Sequence, residues 1–289
     1  TQITTTNPLT GREEPWRFVR TYGCNTAVAS EHLITFRSGA ASYYDLKSKS
    51  GTMNMGGFRS GCSSNLIAAE GVLNAPDYTR TCNCGYQNQT SVGLIHMPDV
   101  EVWSVSLVEA PKPNDRVQRV GLNLGAPGDR RTSEGTVWLE YPVVAGEASP
   151  LSAEVDGSSA RYFRHHGSMI TDGELPWVTA SGAIDLRRLA IRLGPENNGE
   201  KTETRRYTVR LFFAEPEDVE EGDRVFDVSL QGDVVVRGLD VVKKANGRFK
   251  GIVGVFRHVP VDQQLVIELA PHAKGKQGTL LCGVECIAE

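Results

Sequence analysis

The feature that most constrains this chain is the near absence of helical periodicity. Its apolar segments are short, rich in β-branched and aromatic residues, and bounded by Gly, Pro, Asn or Asp. This pattern is typical of strands joined by tight turns. Strands recur roughly once every ten residues, which is the spacing of a sandwich, barrel or propeller. Only residues 185–190 suggest a helix, and the chain is therefore predicted to be all-β.

The predicted strands form two groups. Those in the first group are residues 33–37, 41–46, 65–69, 72–75, 91–96 and 103–108. Those in the second are residues 117–124, 136–141, 189–193, 206–214, 224–230, 234–237, 252–259, 264–269 and 279–287. In residues 207–213 alternate side chains share one face, which is typical of a half-buried strand in a two-sheet sandwich. Two prolines among charged residues at 109–116 indicate a linker. The sequence thus predicts two domains, residues 1–110 and 116–289.

Composition excludes some partners. The chain has 31 Lys and Arg against 35 Asp and Glu, a net charge of −4. So small a bias gives no basic surface for nucleic acid. No apolar run approaches the ~20 residues of a membrane helix, so no membrane insertion is expected. The chain opens on Thr1 without a secretory signal, and we expect a processed product of a longer precursor.

The six cysteines fall into two sets. Cys24, Cys62, Cys82 and Cys84 lie in the first part of the chain, where disulfides among some of them are expected in an oxidising compartment. Their connectivity is open. No His lies within ten residues of the Cys82/Cys84 pair, and no metal site or cofactor is predicted. Cys282 and Cys286 are expected on one side of a strand, about 13 Å apart at about 3.3 Å per residue, as buried free thiols.

The second domain resembles a known family. Residues 207–215 read Tyr-Thr-Val-Arg-Leu-Phe-Phe-Ala-Glu, and residues 224–240 contain Val-Phe-Asp-Val followed by a Leu-Asp step. Residues 281–287 and 119–125 are similar to the last and first strands of the same family. These blocks, in this order, resemble the malectin and malectin-like family. The resemblance implies a jelly-roll type β-sandwich over residues 116–289 and carbohydrate binding.

The first domain resembles a different family. Residues 16–103, with a strand ending Tyr44-Asp45-Leu46, resemble the last blades of a quinoprotein-alcohol-dehydrogenase-like (PQQ-like) β-propeller. A blade takes roughly 40–45 residues, so this antiparallel β segment supplies about two blades of a ring that needs four or more. The resemblance implies that an upstream propeller chain of the parent protein is a partner. No residue set for a quinone cofactor is present.

A saccharide site needs aromatic platforms and a few polar groups, because sugars present apolar C–H faces and hydroxyl edges. Candidates in the second domain are Trp138, Tyr141, Tyr162, Phe163, His165 and Trp177. By order along the chain, the malectin resemblance implies that Tyr162, Phe163 and Trp177 take the place of its glycan-binding aromatics. It implies that Asp240 takes the place of its binding Asp. The alternatives are core or loop packing for the aromatics and a turn cap for Asp240.

A second polar cluster lies in the first domain. Arg59, Asp77, Tyr78, Arg80 and Tyr86 suggest a pocket on a propeller face, or a hydrogen-bonded loop tied by disulfides. No catalytic residue is predicted. The adjacent side chains of His165 and His166 would point to opposite faces of a strand. The thiol of Cys62 has neither a strand-to-helix elbow nor a nearby base.

These observations favour a carbohydrate-binding module of a larger secreted or cell-surface protein, located outside the cytoplasm. Its expected partner is a saccharide or polysaccharide. Two alternatives remain open. One is an accessory fragment of a polysaccharide-active enzyme whose active site lies in the propeller. The other is a structural or protein-interaction scaffold, because fold alone does not decide function.

Overall fold

The computed structural model describes residues 3–76, 91–95, 97, 101–144, 148–156, 160–196, 203–273 and 275–289. The chain forms two compact units. The N-terminal unit comprises residues 1–3, 15–107 and 128–135, and the C-terminal unit comprises residues 4–14, 108–127 and 136–289. Residues 4–14 and 128–135 therefore each belong to the unit opposite to the one in which the sequence placed them.

The described residues are dominated by strands, which confirms the all-β prediction. The strands up to residue 105 are β1 (Thr4–Thr6), β2 (Glu13–Pro15), β3 (Val28–Ala29), β4 (Leu33–Ser38), β5 (Ala40–Asp45), β6 (Thr52–Asn54), β7 (Ile67–Ala69), β8 (Val72–Ala75), β9 (Val92–Ile95) and β10 (Ser104–Val105). The strands from residue 119 to 192 are β11 (Arg119–Leu124), β12 (Arg130–Arg131), β13 (Val137–Tyr141), β14 (Ala153–Asp156), β15 (Arg161–Arg164), β16 (Ser181–Ile184) and β17 (Arg188–Arg192). The strands that follow are β18 (Arg205–Phe213), β19 (Val225–Leu230), β20 (Asp233–Asp240), β21 (Ile252–Val261), β22 (Gln264–Pro271), β23 (Leu280–Leu281) and β24 (Gly283–Ala288). The helices are α1 (Pro176–Thr179), α2 (Val241–Ala245) and a 3-10 turn at Gly167–Met169.

The described residues of the N-terminal unit form two antiparallel sheets. One has the strand order β10-β6-β5-β4-β3 and the other the order β7-β8-β9. Aromatic rings of Trp16, Phe18, Phe36 and Tyr44 pack on one another, with centroids between 5.0 and 5.9 Å apart. A propeller blade has four strands, whereas these sheets have five and three strands in the part of the chain that the structure describes. The propeller interpretation therefore stays a prediction.

The C-terminal unit is a two-sheet sandwich, as the sequence predicted. One sheet of the sandwich contains the order β13-β11-β24-β18-β21, and the other has the order β14-β17-β22-β19-β20. A further three-stranded sheet has the order β15-β16-β23. Alternate residues of β18 (Tyr207, Val209, Leu211 and Phe213) are buried in one core together with residues of β19, β22 and β24. Their burial confirms the alternation seen in the sequence, because successive side chains of a strand point to opposite faces.

The sheet that contains β18 is also buried on its second face. Trp138, Ile170, Val178, Phe212 and Cys282 belong to a separate apolar cluster there, to which α1 contributes. Glycines beside Trp138 make room for its indole. A Cβ atom at Gly121 would lie 2.1 Å from Trp138 Cδ2, and one at Gly283 would lie 3.0 Å from Cζ3. A side chain at Gly121 cannot fit while the indole stays where it is, and a Cβ atom at Gly283 would also lie only 2.6 Å from Val178 Cγ1.

Strands β14, β15 and β16 of the C-terminal unit were missed in the sequence. Strand β14 alternates partly buried and exposed residues. Strand β15 reads Arg-Tyr-Phe-Arg, and β16 reads Ser-Gly-Ala-Ile, in which only Ile is β-branched. The helix suggested at residues 185–190 is wrong. Asp185 adopts φ 63° and the strand β17 begins at Arg188.

The two C-terminal cysteines are buried and free, as predicted. The expectation that they share one side of a strand is wrong. Cys282 packs in the cluster around Trp138, whereas Cys286 packs in the main core. The reason is that β23 ends at Leu281 and β24 begins at Gly283, so Cys282 lies between two strands. None of the four cysteines in the described ranges is bonded to another of these four.

Candidate functional site

Two of the predicted aromatic residues come together at the surface of the C-terminal unit. Tyr162 lies on β15, where it pairs with Ala183 of β16, and it is 37% exposed. Tyr141 is the last residue of β13. The two rings have centroids 6.3 Å apart and planes at 60°. The tyrosines are thus placed side by side by β15, which the sequence did not predict, and β13, which it did.

Both phenols stay protonated at neutral pH. Burial, with a smaller contribution from the neighbouring Tyr141, raises the pKa of Tyr162 to about 12. Burial also raises the pKa of Tyr141, although a backbone hydrogen bond to Val155 lowers it. A protonated phenol donates one hydrogen bond and accepts others. The pair therefore offers apolar ring surface together with neutral polar groups.

Apolar residues follow directly after Tyr141. Val143 and Val144 are exposed, and Val144 is among the most exposed large apolar side chains in the described chain. An exposed apolar residue alone needs no explanation. Here the two exposed valines follow Tyr141 in the sequence, separated from it by Pro142.

The two adjacent histidines have different surroundings. His165 is exposed, with its ring 6.0 Å from Phe163 and edge-on to Phe249 at 5.5 Å. His166 Nδ1 accepts a hydrogen bond from the Ser168 backbone N–H at 3.2 Å and so caps the 3-10 turn. The His165 side chain is exposed to solvent, whereas His166 stabilises the 3-10 turn.

Trp138 does not suit the prediction that it contacts a saccharide. Its side chain is completely buried. The indole meets Trp177 edge-on at 5.7 Å and Phe212 edge-on at 5.2 Å. A ligand arriving from solvent cannot reach it, because its strand is covered on both faces. Trp177 itself lies on α1 and is only partly buried.

Asp240 is a helix cap. Its Oδ1 accepts a hydrogen bond from the Lys243 backbone N–H at 3.0 Å, which satisfies the free N-terminal donor of α2. Its Oδ2 accepts a hydrogen bond from the Gly222 backbone N–H at 2.7 Å. Both carboxylate oxygens are therefore engaged within the fold, which matches the turn-cap alternative rather than a ligand contact.

The Phe-Ala-Glu segment ends in a buried ion pair. Glu215 Oε2 lies 2.7 Å from Arg224 Nε, and both side chains are almost fully buried. The remaining guanidinium donors of Arg224 reach Glu217 Oε2 at 2.7 Å and the Gly278 carbonyl oxygen at 3.1 Å. Sequence reasoning missed this pair, although its residues lie just after β18 and just before β19. Each guanidinium nitrogen of Arg224 has a partner, so the pair is structural.

Little of the predicted N-terminal pocket can be placed. Arg59 is completely buried, and its Nη1 donates to the Ser60 carbonyl oxygen at 2.9 Å. The same atom lies 3.8 Å from Cys62 Sγ. Asp77, Tyr78, Arg80 and Tyr86 lie outside the described residues, as do Cys82 and Cys84. The pocket and the disulfides stay predictions.

Clefts open on the C-terminal unit among its described residues. One of about 290 Å³ is lined mainly by residues 110–117, 149–152 and 192–196. A more open one of about 620 Å³ is lined by Thr204, Gln231, Asp262 and neighbouring polar residues. Neither is lined by a predicted aromatic. Within the described ranges no set of three or more His, Cys, Asp or Glu could hold a metal ion. No helix there is long and apolar enough to cross a membrane.

Comparison with known proteins points to one family for part of the chain. A model of the malectin domain matches residues 199–283, which is less than a third of the sequence. The matched region covers strands β18 to β23 and α2, and includes the Glu215–Arg224 pair and Asp240. It excludes the tyrosine pair. No curated protein matches the chain in sequence.

The chain is similar over part of its length to several solved structures. Beta-glucuronidase 2 of Bacteroides uniformis, covalently bound to cyclophellitol-6-carboxylate aziridine, is 13% identical with a TM-score of 0.48, over 78% of this chain and 23% of that one. The ANXUR2 extracellular domain from Arabidopsis thaliana is 14% identical with a TM-score of 0.41, over 60% of this chain and 49% of that one. FER in complex with LLG2 and plant peptide RALF23 is 20% identical with a TM-score of 0.40, over 60% of this chain and 48% of that one. The chain spans under a quarter of the beta-glucuronidase and about half of the plant ectodomains.

Proposed function

We propose that the C-terminal unit is a non-catalytic module that binds a saccharide at the tyrosine pair formed by Tyr141 and Tyr162. The observation that carries this proposal is the 6.3 Å pairing of two aromatic rings, one of them 37% exposed, at the surface of the sandwich. Aromatic rings bury the C–H face of a sugar, and a phenol hydrogen-bonds its hydroxyls. The malectin match over residues 199–283 supports the same class of ligand.

The hydroxyls of Tyr141 and Tyr162 would supply polar contacts of such a site. The other predicted side chains pack elsewhere, His165 beside Phe163 and Phe249 and Trp177 on Trp138. Trp138 supports Trp177 from beneath and does not touch the ligand. Asp240 holds α2 in place. The site therefore uses fewer of the predicted residues than the resemblance implies.

The proposal extends to the setting of the module. The family match favours a position outside the cytoplasm, in a larger secreted or cell-surface protein. In that protein the N-terminal unit would continue the β-propeller to which its sequence is similar. The tyrosine pair would then bring a larger protein to a polysaccharide, and catalysis would be the task of another part.

The test starts with an array of plant, algal and bacterial polysaccharides probed with the purified chain. Titration calorimetry on the best ligand then compares the parent with Tyr162→Ala, Tyr162→Phe and Tyr141→Ala. We expect Tyr162→Ala to weaken binding at least tenfold. Tyr162→Phe should lose less, because it keeps the ring and removes only the hydroxyl.

The matched control is Val255→Ala, which shortens an exposed apolar side chain of the same unit. It should bind like the parent, and all variants should keep the parent's thermal midpoint within a few degrees. A folded parent that binds no glycan would contradict the proposal and favour a scaffold role. Undiminished binding by folded Tyr162→Ala would exclude the tyrosine pair as the site.

A further inference from the structure

Strand β20 is an edge of its sheet. In the order β14-β17-β22-β19-β20 it pairs with β19, and no other strand in the described part of the chain adjoins it. An edge strand has a row of backbone N–H and C=O groups that its own sheet does not use, and such a row can pair with a strand of another chain. The strand contains neither Lys nor Pro, two residues that commonly protect an edge from pairing.

A run of three valines occupies the first half of this edge strand. Val236 packs against the main core and anchors the strand. Val234 is 43% exposed and Val235 is 36% exposed. The register shifts here, because Val236 and Val234 pair with consecutive residues of β19 and leave Val235 as an extra residue. Two neighbouring β-branched side chains therefore reach solvent on a strand whose composition favours pairing.

The exposed edge is held in place at both ends. Gln231 (φ 54°) and Gly232 (φ 87°) form a two-residue turn that joins β19 to β20. The Gln231 side chain fixes this turn, because its Oε1 accepts a hydrogen bond from the Val266 backbone N–H at 2.8 Å. Farther along, the Gly238 backbone N–H donates to Asp227 Oδ1 at 2.6 Å. The edge is therefore ordered before a partner arrives, which lowers the entropic cost of pairing.

Opposite charges flank the three valines. Asp233 precedes the run and Arg237 follows it, and both side chains are exposed. When two copies of β20 run antiparallel, Asp233 of each copy lies near Arg237 of the other, and the valines of the two copies adjoin. Unlike charges and β-branched residues stabilise cross-strand pairs, whereas a parallel arrangement would place like charges together. The strand is therefore complementary to itself in the antiparallel sense, as an interface with two-fold symmetry requires.

We propose that β20 is the contact between two copies of this chain, which pair antiparallel and join two five-stranded sheets into one continuous sheet. Both copies have the same register shifts in β20, so the two edges share the same twist. The contact is separate from the tyrosine pair. Val155, whose backbone hydrogen-bonds Tyr141, lies on β14 at the other end of the strand order.

Sedimentation equilibrium of the full chain over a range of concentrations tests the proposal. Pairing of eight-residue strands makes a small interface, so we expect a reversible dimer with a Kd on the order of 100 µM. A parent that is still monomeric at about 500 µM would overturn the proposal.

A valine substitution locates the contact. Val235→Lys should be monomeric at every concentration, because it places two like charges in the middle of the paired strands. The matched control is Val255→Lys, at an exposed valine of β21, which is the edge of the other sheet of the sandwich. It should dimerise like the parent. Loss of the dimer in Val255→Lys but not in Val235→Lys would overturn the assignment to β20.

Charge reversal tests the antiparallel arrangement. Asp233→Arg and Arg237→Asp should each weaken dimerisation about tenfold or more, because each brings like charges together. The two changes combined in one chain should restore the parent's affinity, and an equimolar mixture of the single variants should form a heterodimer. All these variants alter exposed side chains and should keep the parent's thermal midpoint within a few degrees. Folded single variants that dimerise like the parent, or a double variant that stays monomeric, would contradict the proposed pairing.

Discussion

The indole of Trp177 meets the indole of Trp138 edge to face, with ring centroids 5.7 Å apart and planes at 84°. Trp138 is completely buried, whereas Trp177 is partly exposed on α1. The contact joins a core residue of β13 to a short helix that covers the outer face of its sheet. Both tryptophans were predicted from the sequence to bind a saccharide. In the structure Trp138 is a core residue, and only Trp177 has part of its indole exposed.

Trp138→Ala should lower the free energy of unfolding by about 3–5 kcal/mol, because it leaves a cavity in the cluster around Phe212 and Cys282. Chemical denaturation measures this loss. Val255→Ala, at an exposed position, should stay within about 0.5 kcal/mol of the parent. A similarly small effect for Trp138→Ala would contradict its place in the core.

Asp240→Ala should destabilise the chain by about 0.5–2 kcal/mol, because it removes the N-cap of α2. Asp240→Asn keeps one amide oxygen for the cap but loses the acceptor for the Gly222 backbone N–H, so its loss should be smaller than that of Asp240→Ala without being zero. Denaturation of both variants checks the cap. Asp240→Asn should also bind the best array glycan like the parent, and a clear loss there would return Asp240 to the binding site.

Arg224→Met should lower the free energy of unfolding by about 3–5 kcal/mol, because it leaves the buried carboxylate of Glu215 unpaired. Glu215→Gln combined with Arg224→Met should cost clearly less than the sum of the two single changes. A double-mutant cycle by denaturation measures this coupling. Additive losses would mean that the two side chains act independently.

Cys282 and Cys286 should resist alkylation in the native protein. Burial raises the pKa of the Cys282 thiol to about 12 and also raises the pKa of Cys286, and the thiolate is the reactive form. Iodoacetamide labelling at pH 8, followed by peptide mass spectrometry, should find both unmodified until denaturant is added. Rapid native labelling of either residue would show that its cluster opens readily.

Stability should fall in acid partly through Glu289. A hydrogen bond from the His258 backbone N–H, with others from Thr208 and the His258 ring, lowers the pKa of Glu289 to about 2. Because this value is below that of the unfolded chain, about 4.3, the carboxylate stabilises the fold above the unfolded pKa. That contribution is lost as the pH falls from the unfolded value toward 2.

Glu289→Gln should therefore flatten the dependence of stability on pH in this window. Denaturant titrations at several acidic pH values measure the slope. The matched change Glu268→Gln, at an exposed position of β22, should keep the parent's slope. If both variants behave like the parent, the hydrogen bonds to Glu289 do not hold in solution.

Much of the fold could be predicted because strand and turn patterns depend on residues that are close together in the sequence. Strand β18 alternates Tyr207, Val209 and Leu211 with more polar residues, and this period of two marks its core face without any knowledge of its neighbours. The turn residues between strands are equally local. Strand β15 was missed because its outer residues are charged and its pairing with β16 supplies the stability that its composition lacks.

The candidate site could be predicted only in part. The sequence identified Tyr141, Tyr162, Trp138 and Trp177 as aromatic candidates but could not separate them. Trp138 is excluded from solvent because α1, some forty residues later, covers its strand. Both carboxylate oxygens of Asp240 already accept hydrogen bonds from the backbone N–H groups of residues 222 and 243.

The sequence by itself therefore determined the all-β class, the sandwich of the C-terminal unit and the set of aromatic residues from which a site could be made. Tertiary structure alone decided which of these residues reach solvent and which polar groups already have partners. The physical reason is that strand periodicity is a property of neighbouring residues. Exposure and hydrogen-bond satisfaction depend instead on segments that are distant in the chain and adjacent only after folding.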